Sequence, residues 1–587
     1  MDRGRRWRVT LAGFAAGGLV ACGFLTASFI AARRDIAAGL KHVEAARAGA
    51  GWEALDDNGG VVPELRLAEQ RFASAEGRLG APPWAVVKLL PIVGRQARSL
   101  EALAGAARTA SAIGVRSVTR LRQVSGTQPE DERNRPAVIR QLADLAAQTE
   151  TQLGAIDLGP RTGLLPALAR RRNEVADKLR GLRIAFAEAS LVGRAAADFL
   201  DGPRRYLVFA ANNAEMRAGA GMFLSVGELV TGHGRLQLGE MTPVTEIPVP
   251  AGSVTVAGDL ADRWGWLRPN EEWRNLMLSP RFDVSAELAA QMWHASGHEP
   301  VDGVIALDVE AVRDLLKATG PVTVAERTIS ADDVVEELTH GQYLKFPSGD
   351  EKAQRKEQLG AIARAIFEAI SAPNLAVDDL PRSLASAARG RHLLLWSARA
   401  DEQAAWATAG AAGLLSGDSL LLALVNRGGN KLDSFLHVAA DLALQPDGTD
   451  TLGTLRVRLD NRAPLTDPRL VIGPEPGSGA GPAEYIGLLT VTLPGSARDS
   501  RIEGVDRLAV AGGDGPTRVV GVQLTVASGE AKTVVITFHL PPADRQLVVE
   551  PSARIPAVNW TSGPQHWVDD SPRRVIWLST YNASESR

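Results

Sequence analysis

A chain of 587 residues is too long for one ordinary domain, and two to four folded units are expected. Its 65 Lys and Arg against 68 Asp and Glu leave a formal charge of −3, without the basic footprint that nucleic-acid binding requires. The single cysteine, Cys22, excludes disulfide staples and thiolate metal sites in the rest of the chain.

Residues 1–8 carry Arg3, Arg5, Arg6 and Arg8, and Val9 to Ala32 then runs without a charge. At about 1.5 Å per residue that run is long enough to cross a bilayer. The heavier arginine cluster before it predicts a single-pass membrane anchor over 9–32, with a cytoplasmic N-terminus and an extracytoplasmic bulk. LVAC, ending at Cys22, also resembles a lipoprotein-processing site. The apolar run continues past it through GFLTASFIAA, which favours an uncleaved anchor.

From 33 to 194 the spacing predicts a helical stalk or bundle, broken at 81–94, 127–136 and 159–166. Leu100, Leu103, Ala107, Ala110 and Ile113 recur at helical intervals, with Ser99 as the N-cap. Arg170, Arg171 and Arg172 suit a solvated helix face or anionic lipid headgroups.

From 195 to 430 strands and helices alternate, which predicts an α/β domain. YLVFA (206–210) reads as a strand, and Gly232-His233-Gly234 as a hairpin turn. DGVIALD (302–308) reads as a strand, followed by the helix VEAVRDLLKATG (309–320), ended by glycine. Further helices are expected near 331–342 and 352–370. From 431 to 587 LRVRL, GVQLTV and TVVITFHL alternate, and Asp447-Gly448 marks a turn, predicting a β-sandwich and a tail. The expected class is multidomain α+β: an N-terminal transmembrane helix, a helical stalk, an α/β domain and a C-terminal β-sandwich.

Candidate chemistry concentrates in NNAEMRAGAGMF (212–223). After a strand, backbone N–H groups around Gly219 and Gly221 suit an anion, and Arg217 can engage phosphate bidentately. Asn212, Asn213 and Glu215 suit substrate orientation or oxygen ligation of a divalent cation. The same residues equally suit a tight turn in which Glu215 and Arg217 pair. In DEKAQRKEQLGAIARAIF (350–367), Arg355, Lys356 and Gln358 fall near a helix N-terminus, where the dipole favours anions. His294 and His298 flank Gly297, which breaks the helix that would align them for a metal. No GxSxG, P-loop, HExxH, CxxC or dinucleotide fingerprint occurs.

In this order, LPIVGRQ, RYLVFAANNAEMRAGAGMF, NLMLSPRFDVSAELAAQMW, VDGVIALDVEAVRDLLKATGPVTV, RKEQLGAIARAIF, HLLLWSARADEQAAW and NRGGNKLDSF resemble one family. It is the bacterial domain of unknown function numbered 4012, found in anchored envelope proteins of actinobacteria and relatives. The resemblance runs from about residue 80 to 460.

The α/β part is in turn similar to LytR-CpsA-Psr phosphotransferases, which attach glycopolymers to peptidoglycan from polyprenyl-pyrophosphate carriers. On that resemblance Arg217 matches a pyrophosphate-binding arginine, Glu215 a magnesium-linked acid, and Arg355 one arginine of a later motif; Mg2+ is the implied cofactor. The family's Pro-Arg-Asp motif is missing, because MTPVTEIPVPAG (241–252) holds no arginine. Each lost charge-assisted bond is worth about 1.5–3 kcal/mol to a pyrophosphate.

The resemblance implies an exported cell-envelope protein that binds a cell-wall glycopolymer or a polyprenyl-phosphate-linked glycan. Two alternatives stay open. One is polymer transfer, with Arg217, Glu215 and Arg355 catalytic and Asn212, Asn213, Gly219, Lys356 and Gln358 binding substrate. The other is a non-catalytic envelope scaffold.

Overall fold

The computed structural model describes residues 3–48, 60–125, 132–324, 326–347, 352–371, 379–474 and 480–577. The side chains of 3–23 and of several helix positions, Arg355 and Lys356 among them, lie outside the described residues. The chain divides into two compact units, Met1–Pro129 with Arg135–Ala197, and Asp198–Arg587 with Glu130–Asn134.

The first unit is built from α1 (Arg3–Ala48), α2 (Val61–Gly80), α3 (Pro82–Lys88), α4 (Val93–Ser125), α5 (Arg135–Gly154) and most of α6 (Pro166–Asp201). Ala68, Phe72, Ala75 and Leu79 recur every three or four residues along α2 and form its buried stripe. Ala75 and Leu79 cluster with Ala32 of α1, Trp84 of α3, and Ala97 and Ala104 of α4. Ser99 is buried inside α4 rather than at its cap, since that helix begins at Val93.

The expected membrane anchor is corrected. Among the described residues no helix is long and apolar enough to cross a membrane. This overturns the span over 9–32, and with it the single-pass placement with a cytoplasmic N-terminus and an extracytoplasmic bulk. The physical reason shows where the side chains of α1 are described. The helix does not stop at Arg33 and Arg34 but continues through Asp35 to Ala48. The end of the apolar run packs against protein: Ala32 is buried, and Trp84 Nε1 donates to Ser28 Oγ at 2.8 Å. Asp35, one turn further, accepts from Arg78 Nε at 2.9 Å. The side chain of Cys22, the alternative processing site, lies outside the described residues.

The second unit opens with β1 (Arg204–Met216), β2 (Gly221–Gly232), β3 (Arg235–Leu238) and the short β4 (Thr242–Pro243). Next come α7 (Gly258–Trp264), α8 (Phe282–Ala295), β5 (Gly303–Leu307), α9 (Val309–Thr319), β6 (Val322–Val324) and β7 (Arg327–Ile329). After α10 (Val334–Glu336), a π-helical turn (Glu337–Gly341) leads into α11 (Gln342–Lys345). α12 (Lys352–Ser371), α13 (Asp379–Arg389), β8 (Leu393–Ser397) and α14 (Ala400–Thr408) follow. The strands form a mixed sheet in the order β3-β2-β1-β5-β8, with β4 also on β2; only β1 and β5 pair in parallel.

Alternation along β1 sends its side chains to two cores. Tyr206 and Val208 meet Ala311 of α9 and Ala387 of α13, while Leu207 and Phe209 meet Phe282, Ala286 and Met292 of α8. Between β2 and β3, His233 and Gly234 both take positive φ, 52° and 79°, as a two-residue hairpin of the twist-matching kind requires. Asp308 caps α9 by accepting from the backbone N–H of Glu310 at 3.0 Å and of Ala311 at 3.1 Å.

The β-rich C-terminal part contains β9 (Ser419–Asn426), β10 (Leu436–Asp447), β11 (Asp450–Asn461), the turn α15 (Arg469–Ile472), β12 (Tyr485–Pro494) and β13 (Arg498–Ile502). It continues with β14 (Val510–Asp514), β15 (Thr517–Val526), β16 (Ala531–Leu540), β17 (Gln546–Glu550), β18 (Asn559–Ser562), β19 (Gln565–Val568) and β20 (Arg573–Ile576). These make two sheets, β13-β16-β11-β10-β18-β19 and β14-β15-β12-β9-β17-β20. β9 is buried on both faces. Leu420, Leu422 and Leu424 enter the sandwich core with Leu455 and Phe538, whereas Leu421, Ala423 and Val425 join Phe209 and Phe282 of the α/β layer. One sheet of the sandwich is therefore covered by the α/β layer, and the two share a core.

Candidate functional site

NNAEM lies within β1 rather than in a loop beyond it. Asn212 pairs with Met222 and Met216 with Gly221, so residues 213–215 bulge out of the ladder. Arg217 N donates to Ala220 O at 2.8 Å and closes the turn. A side chain at Gly221 would place Cβ 2.5 Å from the carbonyl carbon of Asn212, so glycine is required for this approach. The N–H of Gly219 donates to Met277 O at 3.0 Å.

The bulge turns its polar groups inward. Arg217 is buried, and its Nε donates to Arg274 O at 2.8 Å. Its Nη1 donates to Met216 O at 3.1 Å and to Asn426 O at 2.9 Å. Burial lowers the guanidinium's affinity for its proton, and the Glu215 and Asp433 carboxylates offset only part of that loss. Glu215, also buried, forms its ion pair with the ammonium of Lys431. Lys431 Nζ lies 5.4 Å from the centre of the Tyr343 ring, and Asn212 Nδ2 donates to Tyr343 Oη at 3.0 Å. Glu215 and Arg217 thus face different partners and do not pair in a turn.

Asp433 ties this bulge to the sandwich. Its Oδ2 accepts from Met216 N at 3.0 Å and from Asn426 Nδ2 at 2.9 Å. Its Oδ1 accepts from Arg554 Nη1 at 2.7 Å and from Tyr485 Oη at 3.4 Å. Arg554 Nη2 also donates to Leu436 O at 3.0 Å.

Asn213 begins a second network. Its Nδ2 donates to Asp308 Oδ2 at 2.7 Å and to Ala553 O at 2.8 Å, and its Oδ1 accepts from Val309 N at 3.3 Å. His392 Nδ1 lies 2.7 Å from the same Asp308 oxygen. Burial pulls the imidazole pKa down, but Asp308, with Glu310 and Asp314, outweighs burial and leaves it raised. Asp569, which also senses the charge of His392, is pushed up to about 6 by burial. Hydrogen bonds from Ser552 N at 2.9 Å and Ser552 Oγ at 2.6 Å partly oppose that shift.

Gln358 belongs to a third group. Its Nε2 donates to Glu337 Oε1 at 3.3 Å, where Lys345 Nζ (2.6 Å) and Arg327 Nη1 (2.8 Å) also converge. The side chains of Arg355 and Lys356 lie outside the described residues. The structure therefore brings Asn212 to Glu215, with Nδ2 donating to Oε2 at 3.5 Å, and sends Asn213, Arg217, Gly219 and Gln358 to separate partners.

The donor set around Glu215 does not fit Mg2+. That ion takes several oxygen ligands, whereas Glu215 supplies one carboxylate and already faces an ammonium. Among the described residues no group of three or more His, Cys, Asp or Glu could hold a metal ion.

Asn426, Lys431 and Asp433 sit in NRGGNKLDSF, a segment that sequence reading noticed without giving its residues a role. An acid and a lysine two residues apart among glycines and asparagines were the available signal. His392 opens HLLLWSARADEQAAW, another segment noticed without a role for its residues, and Arg554 carried no signal.

Residues 201–343 match the family model described as a protein of unknown function, DUF4012. The match includes the whole 212–223 segment and Asp308, while Lys431, Asp433 and Arg554 fall outside it. No curated protein and no solved structure matches the chain. Over roughly a quarter of its length, then, the chain is similar to a family defined by sequence and not by activity.

Proposed function

We propose that the chain is a non-catalytic scaffold whose second unit uses the 212–217 bulge to join its α/β layer to its β-sandwich. The observation that carries this reading is the inward commitment of Arg217 and Glu215. A phosphotransferase of the LytR-CpsA-Psr kind would need that guanidinium open to a pyrophosphate and that carboxylate open to Mg2+. Here three guanidinium hydrogen bonds end on backbone carbonyls, and the carboxylate meets Lys431.

The test is incubation of the full chain with a polyprenyl-pyrophosphate-linked glycan and Mg2+, following phosphate release and glycan transfer. No turnover above the blank is expected. Mg2+-dependent turnover that disappears in Arg217→Lys, with an unchanged melting temperature, would overturn the reading.

Glycopolymer binding is favoured by one separate observation. Trp266 is half-exposed and fixed by Nε1 donating to Arg263 O at 3.1 Å, with the Arg427 guanidinium 5.1 Å from its ring centre. A half-exposed aromatic ring with a guanidinium over it suits a sugar carrying phosphate or carboxylate. Sedimentation with purified cell-wall glycopolymer should fall in Trp266→Ala; equal sedimentation of the two proteins would remove this site.

A further inference from the structure

In the first unit, the elbow joining α3 to α4 turns large aliphatic side chains outward. Leu89 is 83% exposed, Ile92 72%, Val86 69% and Val93 52%. The backbone beneath them is hydrogen-bonded: Leu89 N donates to Val86 O at 3.2 Å, Leu90 N to Val87 O at 3.1 Å, and Gly94 N to Leu90 O at 3.0 Å. Gly94 packs so closely on the Lys88 carbonyl that a Cβ there would lie 2.4 Å from its oxygen. The elbow is thus a formed turn that displays apolar groups, not a frayed end. Gln96 extends the surface by donating from Nε2 to Gly163 O at 2.8 Å and accepting at Oε1 from Leu165 N at 3.0 Å. That grip holds the exposed Leu165 beside the elbow.

The rim of this surface is basic. Arg95 and Arg98 are exposed at the elbow, and Arg161 and Arg170 are exposed on either side of Leu165. Neither 81–98 nor 158–173 contains an acidic residue. Of the acids just beyond these stretches, Glu101 and Glu174 pair with Lys88 at 2.6 Å and Arg171 at 2.8 Å, and exposed Asp157 accepts from Gly159 N at 2.9 Å, which leaves the arginines in excess. A second copy of the chain would set arginine against arginine. An anionic bilayer complements both halves of the pattern, since acyl chains accept the aliphatic tip and phosphates accept the guanidinium rim.

We infer that the α3–α4 elbow docks on the surface of a bilayer rich in anionic lipid, with Leu89, Ile92 and Val93 inserted and Arg95 and Arg161 at the headgroup phosphates. The contact is interfacial, uses no spanning helix, and does not depend on the scaffold reading of the second unit.

Vesicle flotation of the full chain tests it, comparing phosphatidylcholine alone with phosphatidylcholine containing phosphatidylglycerol. The chain is expected to float with the anionic vesicles and to be released by salt. The double variant Leu89→Ser, Ile92→Ser should lower the bound fraction on the order of tenfold with an unchanged circular dichroism spectrum. Arg95→Glu with Arg161→Glu should abolish the preference for anionic lipid. A wild-type chain without that preference, or a serine variant that floats undiminished, would overturn the proposal. So would a serine variant that only converts a dimer into a monomer, since a second copy would then cover the elbow.

Discussion

Arg554 Nη1 and Asp433 Oδ1 lie 2.7 Å apart, and neither side chain reaches solvent. Asp433 also receives the backbone N–H of Met216, so the pair anchors β1 to the sandwich. Removing one partner leaves the other charge buried alone. Asp433→Asn or Arg554→Met should each cost about 3–5 kcal/mol in chemical denaturation, or prevent recovery of folded protein. Replacing both with apolar residues of similar volume should restore part of the loss. Equal stability of the single variants and the wild type would remove the anchoring role.

Lys431 and Glu215 make a second prediction, aimed at the metal question. Because the ammonium occupies the carboxylate, millimolar Mg2+ and EDTA should both leave the melting temperature unchanged. A cation that bound only the folded chain would raise it by mass action. Lys431→Met should lower stability by about 3–5 kcal/mol, and adding Glu215→Gln should recover part of it.

The pH response follows from Asp569 and His392. Burial raises Asp569 from 3.8 to about 6, so the folded chain holds a proton that the unfolded chain has already released. For this group, stability is greatest at low pH and falls as pH rises from about 4 to 6, by about 3 kcal/mol in all. His392 is raised above 6.5, so its contribution is present below that pH and is lost as pH climbs through the folded value. Denaturation across pH should show Asp569→Asn flattening the lower window and His392→Gln the upper one. Parallel curves for variant and wild type would contradict the assignment.

Gly221→Ala tests the bulge itself. The added methyl would meet backbone atoms of Asn212, at 2.5 Å from C and 2.6 Å from O, and backbone cannot swing aside as a flexible side chain would. A cost near the upper end of the usual overpacking range, about 1–3 kcal/mol, is expected in thermal or chemical melts. An unchanged melt would mean that the turn relaxes freely.

Local signals in the sequence carried much of the secondary structure. The helix 309–319 showed its Gly320 stop, and Gly232-His233-Gly234 marked the β2–β3 hairpin, while the Asp308 cap emerged only from the structure. LRVRL and TVVITFHL alternated because β11 and β16 each bury one face of a sheet. SLLLALVN showed no alternation, because β9 is buried on both sides, and its place in the sandwich went unread.

The candidate site was less legible. NNAEMR looked like an exposed anion loop, since exposed loops and buried bulges draw on the same polar residues. What separates them is a partner more than 200 positions away: Asp433 for Met216, Lys431 for Glu215, Asn426 for Arg217. Sequence spacing carries no trace of such pairings.

Those separations also set an order of events during synthesis. When β1 leaves the ribosome, neither Asp433 nor Arg554 has been made, and β9 must wait for both β12 and β17. Contacts this distant in sequence are slow to close. The nascent α/β layer therefore carries unpaired charge and bare apolar surface until the last strands emerge, and a folding helper in the cell would find its binding window there.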